Sequence, residues 1–321
     1  MKILVFRIAI VLFYILPYTM VGQSNLLKEF PTEFPGNTMS SPGGLTFQDD
    51  DDDDDDDDDE SEGLIPVFVA IQTGLYFANS ASANYYNGTA ESIVNDVKVI
   101  DVIFNDPNNR RAIRDVLGLS DSQLDGSYLE FNYNMSYDIG YLIGFQSFFG
   151  ISKKMWILLD INFVQLNTSS VITLNVPDAN LPNTNAIKMP VYGQEQRFII
   201  DLGAHWILGK NDLKGYLETG GNFLSAKVKS NKFDVEDEHG NVQLTYNLMP
   251  TSNNLAANTI TSFTFGAFIG GGIFYGASDS FGLEAGFQIG YNEVIFPGYN
   301  GYFPNYLVSI RFIYMGKSNK M

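Results

Sequence analysis

The chain has 321 residues, a formal net charge of −18, no cysteine and only two histidines. Without cysteine it has no disulfide, no thiolate metal site and no thiol for lipid attachment, so stability must come from the fold itself. It carries no metal-ligand spacing, phosphate-binding loop or basic patch, which excludes the common nucleotide-binding and nucleic-acid-binding classes and leaves no cofactor to expect.

Residues 1–22 have the form of a secretory signal. Lys2 and Arg7 supply positive charge, residues 8–16 form a short apolar core, and Gly22 is a small residue at a cleavage point before Gln23. That core is too short for a spanning helix, which needs about 20 residues. Met20 leaves the cleavage position open.

Residues 23–63 read as a solvated tail. Pro31, Pro35, Gly36, Pro42, Gly43 and Gly44 break up its first part, and an unbroken run of Asp from 49 to 59 is closed by Glu60. Twelve of the net negative charges lie there, and such a run repels itself and has nothing apolar to bury. It is expected to act as a spacer. Weak cation binding by carboxylates such as Asp49, Asp55 and Asp59, or tethering of a basic partner, is the alternative, although the ordered spacing of a calcium loop is missing.

From residue 64 to about 316 the chain alternates with period two, which only a strand can use to separate two faces. Eight strands are expected. The first covers residues 65–79, with Val67, Val69, Ile71, Leu75 and Phe77 opposite Ala70, Gln72 and Gly74. The second is the longest alternation, residues 129–149, where Leu129, Phe131, Tyr133, Met135, Tyr137, Ile139, Tyr141, Ile143, Phe145 and Phe149 share one face. Its other face is mostly polar or glycine, with Glu130, Asp138, Gly140, Gly144 and Gln146 beside the apolar Leu142 and Phe148. The third, residues 155–174, sets Ile157, Leu159, Ile161 and Phe163 against Asp160 and Asn162. The fourth, 194–209, sets Phe198, Ile200, Leu202, Trp206 and Leu208 against Arg197, Asp201 and His205. The fifth, 213–229, opposes Leu217 and Phe223 to Lys214, Tyr216 and Glu218. The last three, 261–276, 281–296 and 306–315, carry Phe263 to Tyr275, Leu283 to Tyr291, and Tyr306 to Tyr314 on their apolar faces.

Links of about four residues join strands 2 and 3, 4 and 5, and 6 and 7, whereas the connections after strands 1, 3, 5 and 7 look long. Outer-membrane barrels sort their links in this way, with short turns in the periplasm and long loops outside. The apolar face then meets lipid, Phe149, Trp156, Tyr275, Phe281, Tyr306 and Tyr314 fit interfacial girdles, and an even strand number puts both termini in the periplasm. The fold class is all-β, an eight-stranded antiparallel up-and-down transmembrane β-barrel with a partly helical first extracellular loop.

The signal, eight amphipathic strands, link alternation and aromatic last strand resemble the small OmpA-like and OmpX-like outer-membrane barrels over residues 64–315. The resemblance is one of pattern, with no diagnostic motif. It implies outer-membrane lipid and lipopolysaccharide as surroundings. It also implies that Tyr306, Val308, Ile310, Phe312 and Tyr314 serve as a recognition signal for the barrel-assembly machinery, although residues 316–321 trail beyond the usual end.

An eight-stranded interior is just wide enough for its own side chains. Its inward set, Asp160, Arg197, Asp201, His205, Lys214, Glu218, Glu284 and Arg311 together with Glu130 and Asp138, is expected to form a ladder of salt bridges. In that ladder Asp160, Asp201 and Glu218 lie near Arg197 or Lys214, and Glu284 lies near Arg311. His205 falls on the inward parity without a serine nucleophile motif, and His239 lies in a loop, so no enzyme is expected.

Residues 80–127 carry the distinguishing feature. Ile93, Val97, Ile100 and Phe104 recur at helical spacing with Thr89 as a cap, although residues 97–104 also read as a strand. A second helix is expected from Pro107 to Gly118, burying Ile113, Val116 and Leu117. This loop is either a lid over the barrel mouth or a docking surface for another envelope or surface protein. The expected function is a non-enzymatic structural or accessory subunit, with a small-solute transport or ligand-binding barrel, or an adhesin, as alternatives. The loops at 175–193 and 235–259 are expected to be exposed.

Overall fold

The computed structural model describes residues 67–315 except 90–97, 121, 125–127, 153, 177–184, 210–212, 250–259, 279 and 298. The expected signal, acidic tail with Asp49, Asp55 and Asp59, and C-terminal tail lie outside these residues, as do Ile93 and Val97.

Among the described residues ten strands form one sheet: β1 (Val67–Phe77), β2 (Leu129–Glu130), β3 (Gly140–Gly150), β4 (Met155–Val176), β5 (Asn185–Leu208), β6 (Leu213–Glu236), β7 (Val242–Asn247), β8 (Ile260–Ser278), β9 (Phe281–Phe296) and β10 (Tyr299–Tyr314). Eight of them close a ring of antiparallel neighbours, β1-β3-β4-β5-β6-β8-β9-β10, and the β1–β10 pairing completes it. Closure leaves no edge in the wall, the condition for crossing a bilayer with strands. The remaining two, β2 and β7, pair only with β4 and β6 beyond the ring.

The outward side chains define the membrane band. Ile71, Tyr141, Ile143, Phe163, Phe198, Leu202, Phe263, Phe265, Ile269, Ile310 and Phe312 are all large, apolar and exposed. On β5 the band runs over residues 198–208, which fits the roughly 9–11 residues of a tilted crossing strand. A soluble sheet would cover such a surface. The protein is an eight-stranded membrane-spanning barrel.

Beyond the band the pattern inverts. Along the far half of β4 the exposed positions become Gln165, Asn167 and Ser169, while Leu166, Ile172, Leu174 and Val176 are buried. Strands β4, β5 and β6 thus leave the membrane still paired and form a water-facing wall with an apolar inner face. This corrects two expected boundaries. Most of 175–193 is strand, with β4 and β5 paired out to Val176 and Asn185, and β6 runs past Lys229 to Glu236. The alternation stops at Lys229 because a register shift near Gln194/Glu195 skips that residue. Such a bulge flips the parity, so the buried positions change from even (Leu224, Ala226, Val228) to odd (Asn231, Phe233, Val235).

Two further expectations are overturned. The connection after β9 is short, since Phe296 pairs with Tyr299. The long alternation at 129–149 is not one strand either. Between β2 and β3 the backbone leaves the ladder, Asn134 N–H donates to Asn132 Oδ1 and Met135 N–H to Asn84 Oδ1, and Met135 turns into the core. Asparagine side chains replace strand pairing there. In consequence Glu130 and Asp138 are exposed, not luminal.

The first loop folds into α1 (Ser80–Ala83), a 3-10 turn (Asn84–Tyr86), α2 (Val99–Asn105) and α3 (Pro107–Leu117). Residues 99–105 are therefore helix, the reading that the 3.6-residue spacing favoured. Asp106 caps α3 by accepting from Asn108 and Asn109 N–H at 2.9 and 3.0 Å, and Gly118 ends it in the left-handed region at φ 66°. Ile100, Ile103, Phe104 and Ile113 pack against Ile172, Leu174, Met189, Val191, Phe233 and Val235 on the inner face of the extension.

Candidate functional site

The barrel interior is layered. At the short-turn end, Phe148, Leu158, Ile207, Phe268, Phe274 and Ile313 form an apolar floor. At the long-loop end, Leu142, Val164, Leu166, Leu224, Leu307, Tyr85 and Tyr86 form an apolar cap. Between them lies a belt of buried polar groups from β1, β3, β4, β5, β6, β9 and β10.

The lower part of the belt is built on Arg311 of β10. Its Nη1 and Nη2 donate to Glu218 Oε2 and Oε1 at 2.7 and 2.9 Å, Nη1 also reaches Glu284 Oε2 at 3.2 Å, and Nε donates to Gln72 Oε1 at 2.6 Å. Glu284 is the directly opposed residue on β9 and Gln72 that on β1, so sheet register delivers both partners. Glu218 reaches across the lumen from β6 to make a two-pronged pair with the guanidinium. His205 sits between the two carboxylates, with Nδ1 3.6 Å from Glu218 and Nε2 3.4 Å from Glu284. Its ring is stacked between Trp156 and Tyr216, at centroid distances of 5.6 and 4.8 Å. Trp156 therefore faces the lumen instead of joining a lipid-facing girdle.

The upper part is built on Arg197 of β5. Its Nε donates to Glu195 Oε1 at 2.6 Å, Nη1 to Tyr76 Oη at 3.2 Å and Asn305 Oδ1 at 3.0 Å, and Nη2 to Ser82 Oγ at 3.3 Å. Glu195 also accepts from the hydroxyls of Tyr86 and Tyr137. The start of the first loop is therefore bolted into the mouth by hydrogen bonds as well as by apolar packing. Outside the membrane band, burial pushes the Tyr85 and Tyr86 phenols up, and the nearby Glu195 carboxylate adds to this.

Glu284 lies beside Arg311, where the sequence put it. The other pairings differ. Glu218 belongs to Arg311, and Arg197 takes Glu195, which sits on the same inward parity as Arg197 but outside the expected set. Neither Asp160 nor Asp201 bonds a guanidinium: Asp201 Oδ2 accepts from Gln288 Nε2 at 2.8 Å, and Asp160 has no hydrogen-bond partner among the described residues. Lys214 is half-buried, with Nζ 5.9 Å from the centroid of the Phe274 ring. No ion pair among the described residues includes it. Sequence reasoning also missed Tyr76, Ser82, Tyr86, Tyr137 and Asn305, because hydroxyl and amide partners carry no charge signal.

The residues expected to form a docking loop are turned inward. Ile100, Phe104 and Ile113 are 0–3% exposed and face their own sheet, with Val116 and Leu117 packed beside them. Their side chains are occupied by intramolecular packing, because the inverted extension supplies the apolar face that an amphipathic helix needs. His239 lies on an exposed turn, with Nε2 3.6 Å from Glu238 Oε1. Among the described residues no cluster of three His, Cys, Asp or Glu is placed to hold a metal ion.

No protein-family model and no curated relative matches the sequence. Among solved structures the chain is similar to Neisserial surface protein A, at 10% identity and TM-score 0.37, covering 78% of this chain and 97% of that one. It is also similar to the outer membrane protein OprG from Pseudomonas aeruginosa, at 9% identity and TM-score 0.32 over 79% and 99% of the two chains. Ail, the attachment invasion locus protein of Yersinia pestis, matches at 6% identity and TM-score 0.30 over 78% and 99%. Similarity at this level bears on neither role nor partner, and the barrel assignment rests on the closed ladder.

Proposed function

We propose that the protein is a closed, non-enzymatic barrel of a bacterial outer membrane that carries a folded platform on its long-loop side and serves there as a structural or accessory subunit. The carrying observation is the filled lumen, blocked in succession by the apolar floor, the ionic belt and the hydrogen-bonded cap. The cavity lined by Tyr76, Asn162, Asp201, Asn222, Gln288 and Asn305 has a volume of about 20 Å³. That is room for one or two water-sized spheres, not a solute path. His205, enclosed on all sides, has no access to a substrate, which supports a non-enzymatic role.

In this reading lipopolysaccharide and outer-membrane lipid surround the apolar band, the assembly machinery engages the final strand, and both termini lie in the periplasm. Partner contact falls on the polar outer wall of the extension and its rim, since the helical apolar faces are already packed. Reconstitution in a planar bilayer tests the closed state: silence is expected, and steady ohmic steps overturn it in favour of solute transport.

A second reading, capture of a surface ligand, is favoured by the open groove at the rim. It is lined by Tyr128, Leu129, Glu130, Phe131, Tyr133 and Asn175, and Tyr133 is 61% exposed. Replacing Tyr133 with Ala should abolish binding to host or surface ligands if this reading holds, while leaving the barrel folded.

A further inference from the structure

Three neighbouring side chains of the belt receive no hydrogen bond from either guanidinium. Gln146 on β3 is directly opposite Asp160 on β4, and Asp160 is directly opposite Asp201 on β5. All three are inward and at most 1% exposed. Both carboxylate oxygens of Asp160, Oδ1 of Asp201 and both amide atoms of Gln146 have no hydrogen-bond partner among the described residues. Directly opposed residues hold their Cβ atoms about 4.5–5.5 Å apart, so Asp160 stands between Gln146 and Asp201, each neighbouring pair close enough for one small ion to bridge.

Neither carboxylate receives a hydrogen bond from a guanidinium. The donors of Arg311 go to Glu218, Glu284, Gln72 and Tyr216, and those of Arg197 go to Glu195, Tyr76, Asn305 and Ser82. Buried charges are tolerated when paired, bound to a metal or neutralised by a proton, and a buried polar group without a partner needs a physical reason, of which a bound ion is one. The unused atoms offer oxygen ligands without thiolate or imidazole, since His205 is held between Glu218 and Glu284. Two carboxylates with an amide oxygen match the preference of a hard divalent cation for oxygen. Calcium accepts irregular shells of six to eight oxygens, whereas magnesium demands near-ideal octahedral geometry. The adjoining cavity, lined by Asp201, Asn162 and Gln288, has room for the water that would complete such a shell.

We propose that Gln146, Asp160 and Asp201 form a binding site for one calcium ion, enclosed as the barrel closes and acting as the cross-link between β3, β4 and β5. Floor and cap shut the site on both sides, so the ion enters during folding and is retained afterwards against chelator.

The full chain is refolded from urea into detergent micelles with calcium or with EGTA, washed with EGTA, and its metal content counted by mass spectrometry. The wild type refolded in calcium should keep one more ion per chain than Asp160→Asn/Asp201→Asn. The acidic run at 49–60 is common to both chains and cancels. The temperature of the folded-to-unfolded band shift should be higher after refolding in calcium for the wild type, and equal in calcium and EGTA for the double variant. Equal ion content in the two chains, or a wild-type shift indifferent to calcium, overturns the proposal and means that the pair is neutralised by a proton. If the double variant does not fold, Gln146→Glu decides: a third carboxylate should be accepted with calcium and block folding in EGTA, and folding that is the same in both conditions overturns the site.

Discussion

Replacing Arg311 with Leu should cost the barrel about 3–5 kcal/mol, the range for breaking a buried ion pair by removing one partner. The substitution removes the two-pronged bond to Glu218, the contact to Glu284 and the bond to Gln72, all from a side chain that is 1% exposed. Two carboxylates, both at most 1% exposed, would then face each other with only His205 between them. One cation serving two anions puts the loss at the upper end. A value of about 4 kcal/mol is on the order of a thousandfold in the folding equilibrium. The assay is urea unfolding of the refolded barrel in micelles, read as the heat-modifiable band on a gel. Arg311→Lys keeps the charge but not the planar fork, so its loss should be intermediate. Glu218→Gln and Glu284→Gln placed in the Arg311→Leu background should recover most of the loss, because the penalty comes from charges left unpaired. An unchanged midpoint for Arg311→Leu, or no recovery in the triple variant, refutes the claim that this cation neutralises the lower belt.

Other perturbations separate the platform from the barrel. Ile113→Ala should destabilise α3 by about 2–5 kcal/mol, seen as faster proteolysis within residues 99–117 while the band shift of the barrel is unchanged. At Gly193 an added Cβ meets the Tyr86 ring, so Gly193→Ala should displace Tyr86 from Glu195 and cost about 1–3 kcal/mol by overpacking, measured by the same urea titration. On the 237–241 turn the Asp237 carboxylate accepts from Asn241 and His239 N–H, both at 2.9 Å, and from Gln243 Nε2 at 2.9 Å. These bonds, that from the Asn241 backbone first, hold its pKa below the ordinary carboxylate value. A depressed folded pKa adds stability above the unfolded value that is lost as pH falls through the folded one. Amide exchange at His239 and Asn241 should therefore stay slow near neutrality and accelerate, relative to other exposed turns, only once the pH drops below about 4.

The sequence alone determined the crossing strands, because a lipid-facing side and a packed lumen impose strict alternation on every residue between them. It also placed Asp160, Arg197, Asp201, His205, Glu218, Glu284 and Arg311 inside, since parity needs no partner to be known, but not Glu195 on the same face of β5. It identified α3 as well, through Pro107, the spacing of Ile113, Val116 and Leu117, and Gly118.

Three things required tertiary structure. The extension above the membrane was hidden because leaving lipid for water reverses which face is apolar, and a bulge at Lys229 flips parity within the same strand. The stretch at 129–149 kept its alternation on paper while Asn132 and Asn84 drew its backbone out of the ladder. Pairing in the belt was decided by reach across a closed ring. Arg311 and Glu218 lie on strands that are not neighbours, and their contact exists because the sheet curls until β10 and β6 face one another across the lumen.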